Sequence, residues 1–401
     1  MHTLDNGLRV IFKHSETTDG VKIRLIAKGG YSELGLDWPS GALSSHIAKE
    51  AVKWQFAADE SLHSLFLNSV HIEVATKPFF RMIEGSADSK NLELLFARVS
   101  RFFRPLDFSK KAFQSALEKK ITKKMKKTPS QYRIFKRAFL EVNMGGFEPV
   151  FSLSIQGLKK ADRTLAERFF SRAFSNPSEF ICVIVGDMPI DVMKRAMERQ
   201  FANVTAREGS LQLQSVPTFA QKNVRKNVFF FHSGRDRLCR LTFEIKQKLS
   251  LEDYLTFELI CQILQERMTK KASELLKENI VVSAYMEFPF YPCMDRFWVA
   301  IQFSAKSFHV STIEQLLLAQ LADLKNQGPS SQEVASAQAY LTQRKTLRRN
   351  LDDFWLEMLV NFASNEWNLH LLDQNGVKSI EEASIKTHIR KLACYTVVSG
   401  Q

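Results

Sequence analysis

The two residues best placed to bind a metal ion in this sequence are His46 and Glu50. They lie four positions apart in a segment, residues 40–56, whose pattern predicts a helix, so both side chains share one helix face. A third ligand would come from one of three residues: His63, His71 or Glu73. This spacing leaves no properly placed general base, and a His–Glu pair at this spacing is also typical of an exposed polar face. We therefore predict no metal site, and keep His46 with Glu50 as the alternative.

The densest positive charge lies in residues 119–127 (KKITKKMKK). The whole chain has 56 Lys and Arg against 43 Asp and Glu, a net charge of +13, which favours acidic partners. Within the run, Ile121 and Met125 are four positions apart, as on the buried stripe of an amphipathic helix. We predict a solvated helix face, with a phosphate-binding patch as the alternative. No interleaved aromatic residues or glycine loops accompany the run, so nucleic acid is not the predicted partner.

Other chemistries are excluded by the motifs that the sequence lacks. The five cysteines are scattered without a C-x-x-C pair, so neither a disulfide framework nor a cysteine zinc site is predicted. There is no G-x-G-x-x-G, Walker-type loop or G-x-S-x-G elbow, which argues against nucleotide binding and serine hydrolysis. No apolar stretch reaches the roughly 18 residues of a membrane span, and no export signal follows Met1. We expect a cytoplasmic protein that does not enter the membrane, unless the chain is truncated.

The elements that position these residues occur twice. Residues 10–27 and 228–245 share one plan: an apolar run ending in His-Ser, a polar turn and an alternating run, read as a hairpin. His14 and His232 are 218 positions apart, and the apolar positions of the following strand keep that offset. A strand that slipped by one residue would expose its buried face, so the constant offset indicates a duplicated module. Both histidines are predicted to be structural, because they belong to modules with separate cores.

The order of elements is the same in both halves: hairpin, helix, hairpin, several helices and a final apolar strand. An antiparallel sheet with helices packed on one face accommodates this order, whereas regular alternation of strands and helices would indicate a parallel sheet. We therefore predict an α+β fold of two homologous modules, residues 1–204 and 227–401. Residues 205–226 are polar, lack periodicity and are predicted to be the linker.

Five motifs, in order along nearly the whole chain, resemble those of the pitrilysin/insulinase family of zinc metallopeptidases. They are residues 4–10 (LDNGLRV), 29–32 (GGYS), 185–188 (VGDM), 328–334 (GPSSQEV) and 350–355 (NLDDFW). The resemblance implies half of a clamshell, in which two homologous α+β modules help to enclose a chamber where peptides are cut.

Catalytic halves of the family carry H-x-x-E-H on the first helix, where the histidines hold zinc and the glutamate acts as general base. With Gly41 aligned to the glycine before that motif, Ser44, Ile47 and Ala48 replace His, Glu and His. The resemblance therefore implies a non-catalytic half that holds no cofactor and does not cleave peptides alone. Zinc is expected in a catalytic partner half bearing H-x-x-E-H, in the same polypeptide or in a separate chain.

Non-catalytic halves of the family supply an Arg and a Tyr, seven residues apart, that reach the substrate. The matching positions here are Lys277 and Tyr285, eight residues apart, which become the candidate substrate-binding residues. Lys lacks the bidentate fork of Arg, and Tyr285 could equally be a strand residue with its ring against the core. The expected function is to form the peptide-binding wall of the chamber. The alternative is an inactive structural or assembly subunit of the same fold.

Overall fold

The computed structural model of the protein describes residues 1–16, 20–57, 70–126, 131–206, 211, 224–228, 236–372 and 376–400. His63, His232 and most of the predicted linker 205–226 lie outside these ranges. None of the helices within them combines the length and the apolar character that a bilayer span requires.

The first half of the chain, up to residue 206, contains strands β1 to β6 and helices α1 to α7. The strands are β1 (His2–Thr3), β2 (Arg9–His14), β3 (Val21–Lys28), β4 (Val70–Thr76), β5 (Phe80–Ala87) and β6 (Ile181–Gly186). The helices are α1 (Trp38–Ala57), α2 (Leu92–Arg101), α3 (Lys110–Met125), α4 (Gln131–Asn143), α5 (Ile155–Lys159), α6 (Arg163–Ala173) and α7 (Ile190–Phe201).

From residue 224 onward the same kinds of element recur. The strands are β7 (Arg225–Val228), β8 (Asp236–Lys246), β9 (Val282–Glu287), β10 (Arg296–Lys306) and β11 (Tyr395–Gly400). The helices are α8 (Leu251–Leu276), α9 (Ser307–Asn326), α10 (Ser331–Arg349), α11 (Asp352–Asn365) and α12 (Glu382–Arg390).

The strands form two sheets, with orders β1-β2-β6-β3-β5-β4 and β7-β11-β8-β10-β9. Most neighbours are antiparallel, and the pairs β2–β6 and β7–β11 are parallel. Two sheets, each packed with helices, confirm the predicted α+β fold. The hairpin predicted over residues 10–27 is wrong, because β6 lies between β2 and β3. All six residues of β6 are buried, which suits the interior of a sheet better than an edge.

Two compact units are present, and each is discontinuous in sequence. The first consists of Met1–Thr128, Ser152–Val216 and Arg348–Ser364, and the second of Pro129–Phe151, Pro217–Leu347 and Asn365–Gln401. Each unit therefore includes a helix from the opposite half of the sequence, α11 in the first unit and α4 in the second. The proposed division into modules 1–204 and 227–401 stays a prediction about homology.

The exchanged helix of the first unit lies against the face of its sheet that points away from the core. Ile23 of β3 belongs to the core, so its neighbour Lys22 points to the other face. There Lys22 Nζ lies 3.2 Å from Asp353 Oδ1 and 3.7 Å from Asp352 Oδ2, both in α11. Ser15 Oγ also donates a hydrogen bond of 3.3 Å to Asp352 Oδ1. The motif of residues 350–355 thus attaches α11 to the first sheet.

The second unit shows the same arrangement with α4. Arg240 of β8 lies 218 positions after Lys22 and is likewise on the sheet face opposite the core helix α8. Its guanidinium carbon lies 4.0 Å from the centre of the Phe139 ring in α4. Thr396 of β11 donates a hydrogen bond of 2.8 Å to Asn143 Oδ1, at the end of the same helix. Residues at equivalent positions of the internal repeat, Lys22 and Arg240, therefore each contact a helix from the opposite half of the sequence.

Candidate functional site

The positions that would hold a zinc motif are core positions of α1. Ser44, Ile47 and Ala48 are all fully buried, with 0% of their surface exposed. Ser44 Oγ donates a hydrogen bond of 2.7 Å to the carbonyl oxygen of Gly41, which also accepts one of 2.8 Å from Thr76 Oγ1. These three side chains therefore pack the helix against the sheet, and none of them is a typical zinc ligand.

The GGYS motif of residues 29–32 holds the turn between β4 and β5. The backbone N–H of Tyr31 donates to the carbonyl of Lys77 at 3.0 Å, and Ser32 Oγ donates to that of Pro78 at 2.5 Å. A Cβ atom at Gly30 would lie 2.1 Å from the Lys77 oxygen, so only glycine allows this approach. These contacts give the motif a structural role, which is to hold the β4–β5 turn.

His46 and Glu50 both lie on α1 as predicted, but their neighbours are cations. Glu50 Oε2 accepts hydrogen bonds from Ser115 Oγ at 2.9 Å and Lys119 Nζ at 2.5 Å. Burial alone would raise the pKa of Glu50, and the bonds from Lys119 and Ser115 bring it below its usual value. Within the described ranges, no three His, Cys, Asp or Glu residues form a group able to hold a metal ion.

Two of the residues proposed as a third metal ligand, Glu73 and His71, also show no sign of binding a metal with His46 and Glu50. Lys49 Nζ lies 2.7 Å from Glu73 Oε1, and His71 is exposed on β4. Burial, with a smaller effect of nearby lysines, lowers the pKa of His46 to about 3. The surroundings of His46 and Glu50 therefore favour anions over metal cations.

The basic run of residues 119–127 is helical up to Met125, as predicted, but its apolar positions differ from each other. Ile121 is partly buried against the core of the first unit, whereas Met125 is 72% exposed. The predicted buried stripe therefore ends before Met125, because α3 ends there.

Lys277 and Tyr285 occupy unlike positions in the second unit. Lys277 is exposed and follows the last turn of α8 in the left-handed conformation, with φ of 53°. Tyr285 lies in the edge strand β9 and is half-buried. Its hydroxyl accepts a hydrogen bond from Arg240 Nη1 and donates one to Gln302 Oε1, both of 3.2 Å. Burial raises the pKa of this phenol, so the neutral form persists. Their role in binding substrate stays a prediction.

Arg240 is the residue around Tyr285 that sequence reasoning missed. Its side chain is 1% exposed, and its two terminal nitrogens bond to Glu287 Oε1 and Oε2 at 3.1 and 2.7 Å. Nε donates to Thr242 Oγ1 at 3.0 Å. The available signal was a lone arginine within the apolar strand sequence LCRLTFEI. A buried guanidinium needs such complete pairing, which explains the polar side chains gathered around it.

The motif of residues 328–334 begins α10 and connects it to α8. Ser330 Oγ accepts a hydrogen bond from the Glu333 backbone, while the Glu333 carboxylate accepts one of 2.8 Å from the Ser330 N–H. Arg267 of α8 then donates to both carboxylate oxygens, at 2.6 and 2.5 Å. These bonds, with that from Arg267 foremost, lower the pKa of Glu333 to about 2. This motif therefore stabilises the fold.

Comparison with known proteins gives one sequence match and several similar folds. Residues 164–341 match the family model described as Peptidase M16 inactive domain. No curated protein sequence matches the chain. The fold is similar to that of the periplasmic protease PqqL from Escherichia coli, with a TM-score of 0.77 and 16% identity over 100% of this chain. The chain spans 47% of that protease, about half of its length.

Two shorter structures match this chain from end to end. The first half of the same Escherichia coli protease gives a TM-score of 0.76 at 16% identity, covering 100% of this chain and 91% of that one. A peptidase M16 inactive domain from Pseudomonas fluorescens gives 0.74 at 15% identity, covering 100% and 97%. The predicted resemblance to the pitrilysin/insulinase family is thus confirmed: residues 164–341 match the family model of the inactive domain, and the whole chain has a fold similar to that of a solved inactive domain.

Proposed function

We propose that this chain is the non-catalytic half of a pitrilysin/insulinase-type zinc metallopeptidase and forms the peptide-binding wall of its chamber. A catalytic half bearing H-x-x-E-H and zinc would be its partner, in the same polypeptide or as a separate chain. The observation that carries this proposal is the burial of Ser44, Ile47 and Ala48 at the zinc-motif positions. A helix that uses these positions for packing has no place for a metal and its activated water.

Peptide binding is supported by the edges of both sheets. Among the described residues, β4 and β9 are hydrogen-bonded to a neighbour on one side only. The backbone groups on the outer side of such a strand can pair with an extended peptide, which would give affinity with little dependence on sequence. Tyr285 lies in β9, so we propose that it contacts a peptide added there, with Lys277 supplying a positive charge nearby in sequence.

A second candidate function is an inactive structural or assembly subunit. It is favoured by the hydrogen bonds of Tyr285, because its hydroxyl already donates to Gln302 and accepts from Arg240. A phenol with both capacities used would have to rearrange before it could bind a substrate carbonyl. The two functions therefore differ in whether this chain changes peptide hydrolysis.

The test is a mixing experiment with a catalytic half bearing H-x-x-E-H. Hydrolysis of an extended, unfolded polypeptide is measured for the catalytic half alone, for this chain alone and for the mixture. We expect no cleavage by this chain alone and a clear gain of kcat/KM in the mixture. Tyr285→Phe should reduce that gain, whereas Tyr340→Phe, at an exposed tyrosine on α10, should not. A mixture no more active than the catalytic half would favour the assembly subunit.

We propose the cytoplasm as the compartment of this protein. The similar Escherichia coli protease is periplasmic, so the periplasm is the alternative compartment that an experiment must distinguish from the cytoplasm. Fractionation of cells that express the native gene, followed by detection of the protein, distinguishes them.

A further inference from the structure

Side chains of α8 cover the outer edge of β9 in the second unit. Thr269 Oγ1 accepts a hydrogen bond of 3.1 Å from the Val282 N–H and donates one of 3.2 Å to the Val282 carbonyl. Ser273 Oγ makes the same two bonds to Ile280, two positions before β9, both at 3.2 Å. We call these four bonds the edge ladder. They occupy backbone groups of a kind that an edge strand normally leaves unpaired.

The ladder forms because the spacing of side chains on α8 matches the spacing of backbone groups along β9. Thr269 and Ser273 are four positions apart, so they lie on one helix face with a rise of about 6 Å between them. Alternate strand residues direct their backbone groups to the same side and are about 6.7 Å apart. Gln265 continues the series, because its Oε1 accepts a bond of 3.4 Å from the Ala284 N–H. The helix therefore covers the edge over three successive positions.

The backbone groups in the ladder belong to buried residues, so they require a partner. Ile280 and Val282 are 5% and 0% exposed. A buried N–H or carbonyl without a hydrogen bond is costly, and either α8 or an added strand can supply that bond. The two hydroxyl-to-carbonyl bonds of 3.2 Å are longer than the usual value of about 2.8 Å for such bonds. The ladder therefore satisfies the edge with bonds that a better partner can replace.

The edge strand of the first sheet differs from β9 in this respect. In β4, which runs from Val70 to Thr76, no side chain within the described ranges is hydrogen-bonded to the strand backbone. Of these two strands, only β9 has its edge bonded by helix side chains in the part of the chain that the structure describes. Addition of a strand at β9 therefore has to displace an existing partner.

We propose that the edge ladder is an autoinhibitory contact, which keeps β9 closed until an extended polypeptide replaces its two hydroxyl groups. The polypeptide would add as a further strand, and its own N–H and carbonyl groups would take over the bonds to Val282 and Ile280. The buried backbone groups keep a partner, so the exchange leaves none of them unsatisfied. Binding at β9 is weaker than at an open edge by the free energy needed to displace the two side chains.

This inference deepens the proposed function and rests on it for the identity of the ligand as a peptide. The ladder lies beside both candidate substrate-binding residues in sequence. Lys277 follows Ser273 by four positions, and Tyr285 follows Val282 by three. Opening of the ladder would release the end of α8 next to Lys277 and the strand that contains Tyr285. Peptide binding and the arrangement of these two residues would thus be coupled.

Amide hydrogen exchange, followed by nuclear magnetic resonance, tests the ladder without a ligand. In the parent chain the Val282 amide should be protected, because its N–H is bonded to Thr269. Thr269→Val keeps the shape of the side chain and removes the hydroxyl, so the Val282 amide should exchange about tenfold faster. Thr346→Val, at an exposed position of α10, is the matched control and should leave that rate unchanged.

Peptide binding to the full chain tests the autoinhibition. The probe is a peptide of about ten residues that alternates threonine and valine, long enough to pair along the whole edge. Its affinity is taken from the shift of the Val282 amide resonance, so binding at β4 does not enter the measurement. The double variant Thr269→Val with Ser273→Ala should bind about tenfold more tightly than the parent, because no hydroxyl competes for the edge. Thr346→Val with Ser331→Ala, both exposed on α10, should bind like the parent.

Circular dichroism checks that the variants fold, and if the double variant does not, Thr269→Val alone is titrated with the same peptide. Equal or weaker binding in the ladder variant, or a Val282 resonance that the peptide does not shift, would overturn the autoinhibition. An unchanged exchange rate of the Val282 amide in Thr269→Val would overturn the ladder itself. No catalytic half is present, so failure here is distinct from failure of the mixing experiment.

Discussion

Arg240 lies under the ring of Phe139, with its guanidinium carbon 4.0 Å from the ring centre. This contact joins the second sheet to α4, a helix from the opposite half of the sequence. The same guanidinium is paired with Glu287 and bonded to Tyr285, so one buried side chain supports both the exchanged helix and the edge strand β9.

Replacing Arg240 should therefore destabilise the second unit more than an exposed charge would. Arg240→Met leaves Glu287 without its partner and should lower the free energy of unfolding by ~2–4 kcal/mol, measured by urea denaturation. Lys246→Met on the same strand removes an exposed charge and should cost ~0–1 kcal/mol. Equal effects of the two substitutions would show that the Arg240 network does not support the fold.

Asp352 should matter more than its neighbour Asp353, although both lie near Lys22. Asp352 is buried and also accepts a hydrogen bond from Ser15, whereas the Asp353 side chain is 74% exposed. Asp352→Ala should therefore cost ~1–3 kcal/mol of unfolding free energy, and Asp353→Ala less than ~1 kcal/mol. Thermal or urea denaturation of both variants checks this. The reverse order would contradict the attachment of α11 to the first sheet through Asp352.

The free energy of unfolding should decrease at low pH because of Glu333. Its pKa is about 2 in the folded protein against an ordinary value of 4.5, so its contribution is fully present above about pH 4.5. That contribution is lost as the pH falls through about 2, because the folded carboxylate then also takes up a proton. Glu333→Gln should reduce stability by ~1–2 kcal/mol at pH 7, after allowance for solvent screening.

The check is to compare Glu333→Gln with the parent chain by urea denaturation at several pH values. The difference in stability should be largest near neutral pH and shrink below pH 4.5. Glu274→Gln, which removes an exposed carboxylate of α8, is the matched control and should change little at any pH. A difference that does not vary with pH would show that the Arg267–Glu333 pair does not hold the carboxylate ionised.

Local patterns are the part of the structure that a sequence encodes most directly. Ser250 and Asp253 form a capping box at the start of α8, and Ser330 and Glu333 form a similar pair at the start of α10; each pair lies only three positions apart. The α+β fold followed from the order of strands and helices and from the repeat at His14 and His232.

Long-range relationships could not be predicted in the same way. The insertion of β6 between β2 and β3 depends on pairing across more than a hundred residues, which alternation does not encode. The exchange of α4 and α11 depends on contacts such as Arg240 with Phe139, and the sequence marks this contact only by a single arginine within the apolar segment LCRLTFEI. For the site, spacing placed His46 and Glu50 on one helix but could not show the lysines around them.

Zinc content is the most direct test of whether α1 has lost the catalytic centre. The purified full-length chain is incubated with zinc, dialysed against metal-free buffer and assayed by atomic emission, with the variants His46→Ala and Glu50→Gln treated in parallel. We predict far less than one zinc per chain, with no difference among the three proteins, and no hydrolysis of an unfolded polypeptide. One zinc per chain, lost in His46→Ala or Glu50→Gln, would contradict the assignment of this chain as a non-catalytic half.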